Sequence, residues 1–170
     1  RHRVTAIVVA VLLVFHAGLG LHVAAYNSVT NDEFWHIPTG LWNLTHGKFH
    51  YENLNPPLVR GMAAVPLVLA GAKTGSVAEL ASKETRADAF VAVNRERYST
   101  LVFLARIVPV LLSVLTGGIL ALWAFELFGS GAAVMATAMW TLSPNVLGHA
   151  SLVTTDVAAA GAMLVAIRCS

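Results

Sequence analysis

The sequence predicts an all-α polytopic membrane protein, with about four transmembrane helices and juxtamembrane helices in a long first outer loop. Three observations predict it. The 170 residues are 56% apolar and only 12% charged, a balance far from that of a soluble domain. The apolar residues gather into runs, several near the roughly 20 residues that a bilayer-crossing helix needs. Most of the charge lies between the first of these runs and the second.

The first run, "VTAIVVAVLLVFHAGLGLHVAA", covers 4–25. Arg1 and Arg3 precede it, as they would in a signal peptide. Its length exceeds the apolar core of about 7–15 residues in such a peptide, and no small-x-small site closes it. It reads as a retained span. His16 and His22 interrupt it, and a histidine in such a helix faces another helix more often than a ligand. Residues 26–105 form the outer loop with interfacial helices. Within it "LVRGMAAVPLVLAGA", Leu58 to Ala72, is apolar but short and broken by Pro66, so it reads as a re-entrant or interfacial helix. The second span covers 107–128, with Arg106 at its mouth and Gly117–Gly118 inside for close helix packing. The third covers 131–147 and the fourth 150–167, with Arg168 behind it. The "FGSG" turn makes spans two and three an antiparallel hairpin. The chain starts at Arg1 and stops at "AIRCS", which reads as the N-terminal part of a longer product.

Several classes are excluded. The net charge of +2 comes with no basic run and no aromatic-basic interleaving, so no nucleic-acid partner is expected. The single Cys169 excludes an internal disulfide and a cysteine-based zinc cluster. By the positive-inside rule, Arg1 and Arg3 place the N-terminus in the cytoplasm. The long loop then lies outside, and Asp32, Glu33 and Asp156 come to the same membrane face.

Four stretches could carry chemistry. In "TNDEFWHIPTG", Asp32 and Glu33 follow directly on the first span, and His36 lies a turn beyond. The acids either cap an interfacial helix, with Asn31 or Asp32 as N-cap, or supply a general base whose pKa is raised by desolvation. On a helix Asp32 and His36 share a face. In "ENLNPPLVR" two prolines fix a rigid corner, which is either a turn or a holder for Asn55 and Arg60 towards an anion. Arg106 either snorkels to headgroups or makes a bidentate contact with a phosphate. In "SPNVLGHASLVTTD", Asp156 reads as lying inside an apolar run, where a carboxylate needs a partner. His149 could be that partner, or Asp32 and Asp156 could share a divalent metal. His36, His46 and His50 match no firm ligand spacing. "NLT" at Asn43 reads as a glycosylation sequon facing outside.

The order of these stretches resembles the N-terminal part of the GT-C-fold, lipid-carrier-dependent glycosyltransferases, such as the protein O-mannosyltransferases and the lipid A aminoarabinose transferases. The matching stretches are "NDEFWH", "GLWNLTHGKF", "NPPLVR", "ARIVPVLLSVLTG", "ELFG" and "LSPNVLGHASLVTTD". Together they cover nearly the whole chain. The resemblance implies an integral membrane enzyme, in the bacterial inner membrane, with its site facing the periplasm or outside. It implies a polyprenyl- or dolichyl-phosphate sugar as donor and membrane lipids as partners. Asp32 would be the catalytic base and Glu33 its support. Asp156 would bind a divalent metal or orient the acceptor. Arg106 and the Pro-Pro-Leu loop would lie near the donor phosphate. Relatives often carry Lys or His before the two prolines, where this chain has Asn55. The competing readings are a non-catalytic membrane transporter or helix-packing subunit, and a metal-dependent membrane hydrolase.

Overall fold

The computed structural model describes residues 2–49, 52, 54–77 and 81–170. Every regular element among them is helical: α1 (His2–Tyr26), α2 (Asn31–His46), α3 (Pro57–Leu69), α4 (Lys83–Val93), a 3₁₀ turn (Arg95–Arg97), α5 (Tyr98–Phe128), α6 (Ser130–Leu142), α7 (Pro144–Ala150) and α8 (Asp156–Cys169). Two helical stretches, His2–Tyr26 and Arg95–Phe128, are long and apolar enough to cross a membrane. The chain divides into two compact units. One holds α1, the part of α5 from Val110, α6, α7 and α8. The other holds residues 27–109 and 152–155.

The first unit is built inside out relative to a water-soluble bundle. On α1, Val4, Ile7, Val11 and Val14 are 61–72% exposed, while His16 is fully buried. Ser113, Thr116, Thr137 and Thr141 are buried too, while Leu111, Leu115, Leu122, Met135, Met139 and Met163 face outward. Water would reject that surface, whereas lipid accepts it, and polar groups in a membrane protein face the bundle interior. The buried polar groups are satisfied. His16 Nδ1 lies 3.1 Å from the Thr141 carbonyl oxygen, which can only accept, so Nδ1 carries the proton. Nε2, 2.8 Å from Ser113 Oγ, then accepts from the hydroxyl. Thr116 and Thr137 return their hydroxyls to carbonyls one turn back. Small residues set the spacing, as "TGG" suggests: a Cβ on Gly117 would stand 2.8 Å from both Leu13 Cδ2 and Trp140 Cδ1.

Three boundaries differ from the sequence reading. The second span begins at Tyr98 rather than 107, so Arg106 sits in its third turn and not at its mouth. The segment 131–147 is two helices, because Ser143 adopts an extended backbone before Pro144 and caps α7 through a hydrogen bond from Val146 N. At 13 residues α6 is shorter than a span needs. The helix in 150–167 starts only at Asp156, so this carboxylate opens α8 and is not embedded in an apolar run. The joint between α5 and α6 is the single residue Gly129, at φ 82°.

The second unit has an ordinary apolar core. Ile37 and Leu41 of α2 pack with Ala63, Ala64 and Leu67 of α3, Phe90 of α4, Leu101, Val102 and Ala105 of α5, and Val153. The i, i+4 spacing within each helix places these residues on one face. α3 carries a second apolar face, with Leu58, Met62, Val65, Val68 and Leu69 exposed. Pro66 lies within α3 without ending it.

Candidate functional site

The site grows from the start of α2. Thr30 is the N-cap, not Asn31 or Asp32. Its Oγ1 accepts from Glu33 N at 3.4 Å, and Glu33 Oε2 accepts from Thr30 N at 3.1 Å. This reciprocal capping box fixes the first turn. Successive helical residues point about 100° apart, so the two acids part company. Glu33 is fully buried, while Asp32 is exposed and has no hydrogen bond among the described residues.

Glu33 meets Arg106 in a bidentate pair. Arg106 Nε donates to Oε1 at 2.8 Å and Nη2 to Oε2 at 2.7 Å. Nη1 donates to Asn27 O and Nη2 also to Ser28 O, at 2.8 and 2.9 Å. Glu33 Oε1 further accepts from Val153 N at 3.2 Å. One ion pair therefore ties together the chain before α2, the first turn of α2, α5, and the 152–155 segment. Burial pushes the Glu33 carboxyl up. The Arg106 hydrogen bonds, the Thr30 and Val153 amides and the Arg106 charge together outweigh it and hold the pKa below its ordinary value. A carboxylate so held is a poor proton acceptor. Arg106, 1% exposed, directs these bonds at protein acceptors rather than outward.

One turn on, His36 is 8% exposed and its Nδ1 has no hydrogen-bond partner among the described residues. Burial first, then the Arg60 charge, lowers its pKa; Asp32 and Glu52 oppose this from the other side, and Lys83 adds to it. The imidazole is neutral at neutral pH. His36 is thus the centre of a charged group that the sequence scatters over 50 residues. Arg60, on α3, is 3% exposed. Its Nη2 donates to Glu52 O at 2.7 Å, and its Nε and Nη1 have no hydrogen-bond partner among the described residues. α3 approaches α2 closely here: a Cβ on Gly40 would overlap the Arg60 carbonyl. Lys83, at the start of α4, lies 3.8 Å above the centroid of the Trp35 ring and 3.8 Å from Glu52 Oε2.

Two hollows flank Arg60. A closed one is lined by His36, Val59, Arg60, Val153, Thr154 and Thr155, with no room for a water. An open one of about 410 Å³ is lined by Phe49, Glu52, Leu54, Asn55, Pro56, Pro57 and Arg60. Asn55 and Arg60, paired in the sequence reading, thus share one wall.

In the other unit, His149 Nδ1 lies 3.4 Å from Asp156 Oδ2, with both side chains about half exposed. His149 is the partner that the sequence suggested for Asp156. His46 stacks on Trp42 at 3.9 Å, and His50 lies outside the described residues. Among the described residues, no three His, Cys, Asp or Glu side chains converge to hold a metal ion. The sequon is buried. Asn43 is 1% exposed within α2, beyond reach of a glycosylating enzyme once folded. Lys83, Trp35 and Glu52 were missed by sequence reasoning, since no local pattern announces a cation over an aromatic ring 48 positions away.

Comparisons with protein-family models, curated proteins and solved structures return no match to this chain.

Proposed function

We propose that the chain is the N-terminal, base-bearing part of a membrane glycosyltransferase. It transfers a sugar from a polyprenyl- or dolichyl-phosphate donor to an acceptor hydroxyl at the outer membrane face. The observation that carries the reading is the separation of the two adjacent acids. Glu33 is locked, and Asp32 stands exposed on a rigid first turn, within electrostatic reach of the neutral His36, which the cations Arg60 and Lys83 also influence. A base and cations grouped about one imidazole suit this transfer. Asp32 takes the proton of the acceptor hydroxyl. The oxygen attacks the anomeric carbon with inversion, the bond from that carbon to the phosphate oxygen breaks, and the lipid phosphate leaves with the electron pair. Glu33 and Arg106 position α2. A divalent ion would add charge neutralisation at the leaving phosphate.

The inside-out packing of the first unit supports a bilayer setting, and the two long apolar helices support at least two crossings. The reading extends this to about four crossings, with the site facing the periplasm of a bacterial inner membrane. A helix-packing subunit is the second reading, favoured by the satisfied His16–Ser113–Thr141 knot. The test is transfer from a polyprenyl-phosphate sugar by the intact gene product in liposomes, wild type against Asp32→Asn. Loss of transfer with retained folding supports the base; full transfer by Asp32→Asn removes it.

A further inference from the structure

α3 has two apolar faces, and the core uses one of them. Ala63, Ala64 and Leu67 pack with Ile37, Leu41 and Leu101. On the other, Leu58, Met62, Val65 and Leu69 are 38–83% exposed. Their i, i+4, i+7, i+11 spacing makes a single stripe along the helix. Arg60, the one charged residue of α3, is buried and stands off this stripe. The stripe is therefore uncharged over about 17 Å, at about 1.5 Å per residue. One leaflet of a bilayer offers about 15 Å of hydrocarbon, half of a core of about 30 Å. Cations gather at one end of it. Past the C-terminal end of α3, a hollow of about 430 Å³ has Gly71, Lys73, Asn94, Arg95, Glu96 and Arg97 in its walls. Asn94 staples those walls together: its Oδ1 accepts from Lys73 N at 3.1 Å, and its Nδ2 donates to Lys73 O at 2.7 Å. Arg97 Nη2 donates at 2.9 Å to the carbonyl oxygen of Ala70, the C-cap of α3. Lys73, Arg95 and Arg97 are exposed, and no carboxylate among the described residues forms an ion pair with any of them. Three cations against Glu96 leave the hollow positive.

We infer that this end of α3 binds a bilayer phospholipid with a net-negative headgroup. The headgroup phosphate sits among Lys73, Arg95 and Arg97, and an acyl chain lies along the stripe from Leu69 to Leu58. A basic cluster beside an apolar helix face is complementary to anionic lipid. The stripe matches one leaflet in length and is charged at one end only, which is the pattern of a phospholipid. None of Asp32, His36, Asn55 or Arg60 lines this hollow, so the lipid held here is a resident of the bilayer and not a reactant. The inference rests on the bilayer setting, which the inside-out packing of the first unit supports, and not on sugar transfer.

The probes are palmitoyl-oleoyl phosphatidylglycerol and the matching phosphatidylcholine, added in equal amounts to the full chain in detergent. Native mass spectrometry counts the lipids retained. The wild-type chain is expected to keep phosphatidylglycerol over phosphatidylcholine by about tenfold. Lys73→Gln/Arg95→Gln removes two exposed charges and spares the Lys73 backbone bonds to Asn94; it is expected to cut that preference severalfold. Lys73→Arg/Arg95→Lys keeps both charges and is expected to keep the preference. Val65→Ser/Leu69→Ser, on the exposed stripe, is expected to lower retention of both lipids together. Glycerol phosphate, a headgroup without chains, is expected not to displace the bound lipid. An unchanged preference in Lys73→Gln/Arg95→Gln, with the variant folded, overturns the inference. Displacement by glycerol phosphate at the lipid's own concentration also overturns it, because the site would then take a soluble anion.

Discussion

Removing the Glu33 carboxylate tests whether this acid is a structural pin or a chemical group. In Glu33→Ala five hydrogen bonds vanish, those from Arg106 Nε and Nη2, Thr30 N and Oγ1, and Val153 N. Arg106 then stays buried, at 1% exposure, having lost this carboxylate while its bonds to the carbonyls of Asn27 and Ser28 remain. Stripping one partner from a buried pair costs about 3–5 kcal/mol. For a chain of this size each kcal/mol lowers Tm by about 2–4 °C, so the expected drop is about 6–20 °C. Glu33→Gln keeps the shape and loses the charge, and about 1.5–3 kcal/mol is expected. The double variant Glu33→Leu/Arg106→Met removes both charges and is expected to be more stable than Glu33→Ala, because no uncompensated ion remains. Thermal unfolding in detergent, followed by tryptophan fluorescence, measures all three. A Glu33→Ala shift below about 2 °C would mean less than about 1 kcal/mol at stake, and the pinning argument would be refuted.

Acid should weaken the second unit in two stages. His36 is held below its ordinary 6.5, so the unfolded chain takes up its proton first and stability starts to fall below that pH. Glu33 is held below its ordinary 4.5, so its contribution is present above that pH and is lost as pH falls towards the folded pKa; unfolding midpoints across pH 7 to 3 should steepen below about 4.5. Gly40→Ala forces a Cβ into the Arg60 carbonyl and should cost about 1–3 kcal/mol in the same assay. His16→Ala strands Ser113 Oγ and the Thr141 carbonyl and should cost about 1–3 kcal/mol. His16→Asn, which also offers a donor and an acceptor, should lose less.

What was legible in the sequence was local. The run 4–25 is a helix because hydropathy needs only neighbours, and α1 covers all of it. The capping box was also written locally, as Thr30 and Glu33 at the required spacing, yet the acids drew the sequence reading of the cap to Asn31 or Asp32. Pro144 announced the break that splits α6 from α7, yet the apolar run reads straight through it. The start of α5 was missed for a different reason. Residues 98–106 mix polar and apolar side chains, and hydropathy alone cannot see that Leu101, Val102 and Ala105 all face one core. Long-range pairing was invisible. Glu33 and Arg106 were each singled out, but as separate agents on a substrate, and nothing within 73 positions joins them.

The adjacency of Asp32 and Glu33 now has a physical reason. Two consecutive residues on a helix cannot share a direction, since each step turns about 100°. A helix whose first turn must be fixed rigidly needs one inward group to hold it. Glu33 does this with a capping box on one side and a guanidinium on the other. Its neighbour is thereby forced outward, and the turn that bears it cannot fray, because fraying would expose a buried ion pair. A carboxylate on a frayed helix end samples many positions and spends little time at any one. Asp32 is instead carried by a turn anchored from two sides, a placement that suits the base of the proposed transfer. Loss of Glu33 should therefore impair Asp32 through its position rather than its protonation, so activity lost in Glu33→Gln should return in proportion as stability is restored by conditions favouring the fold.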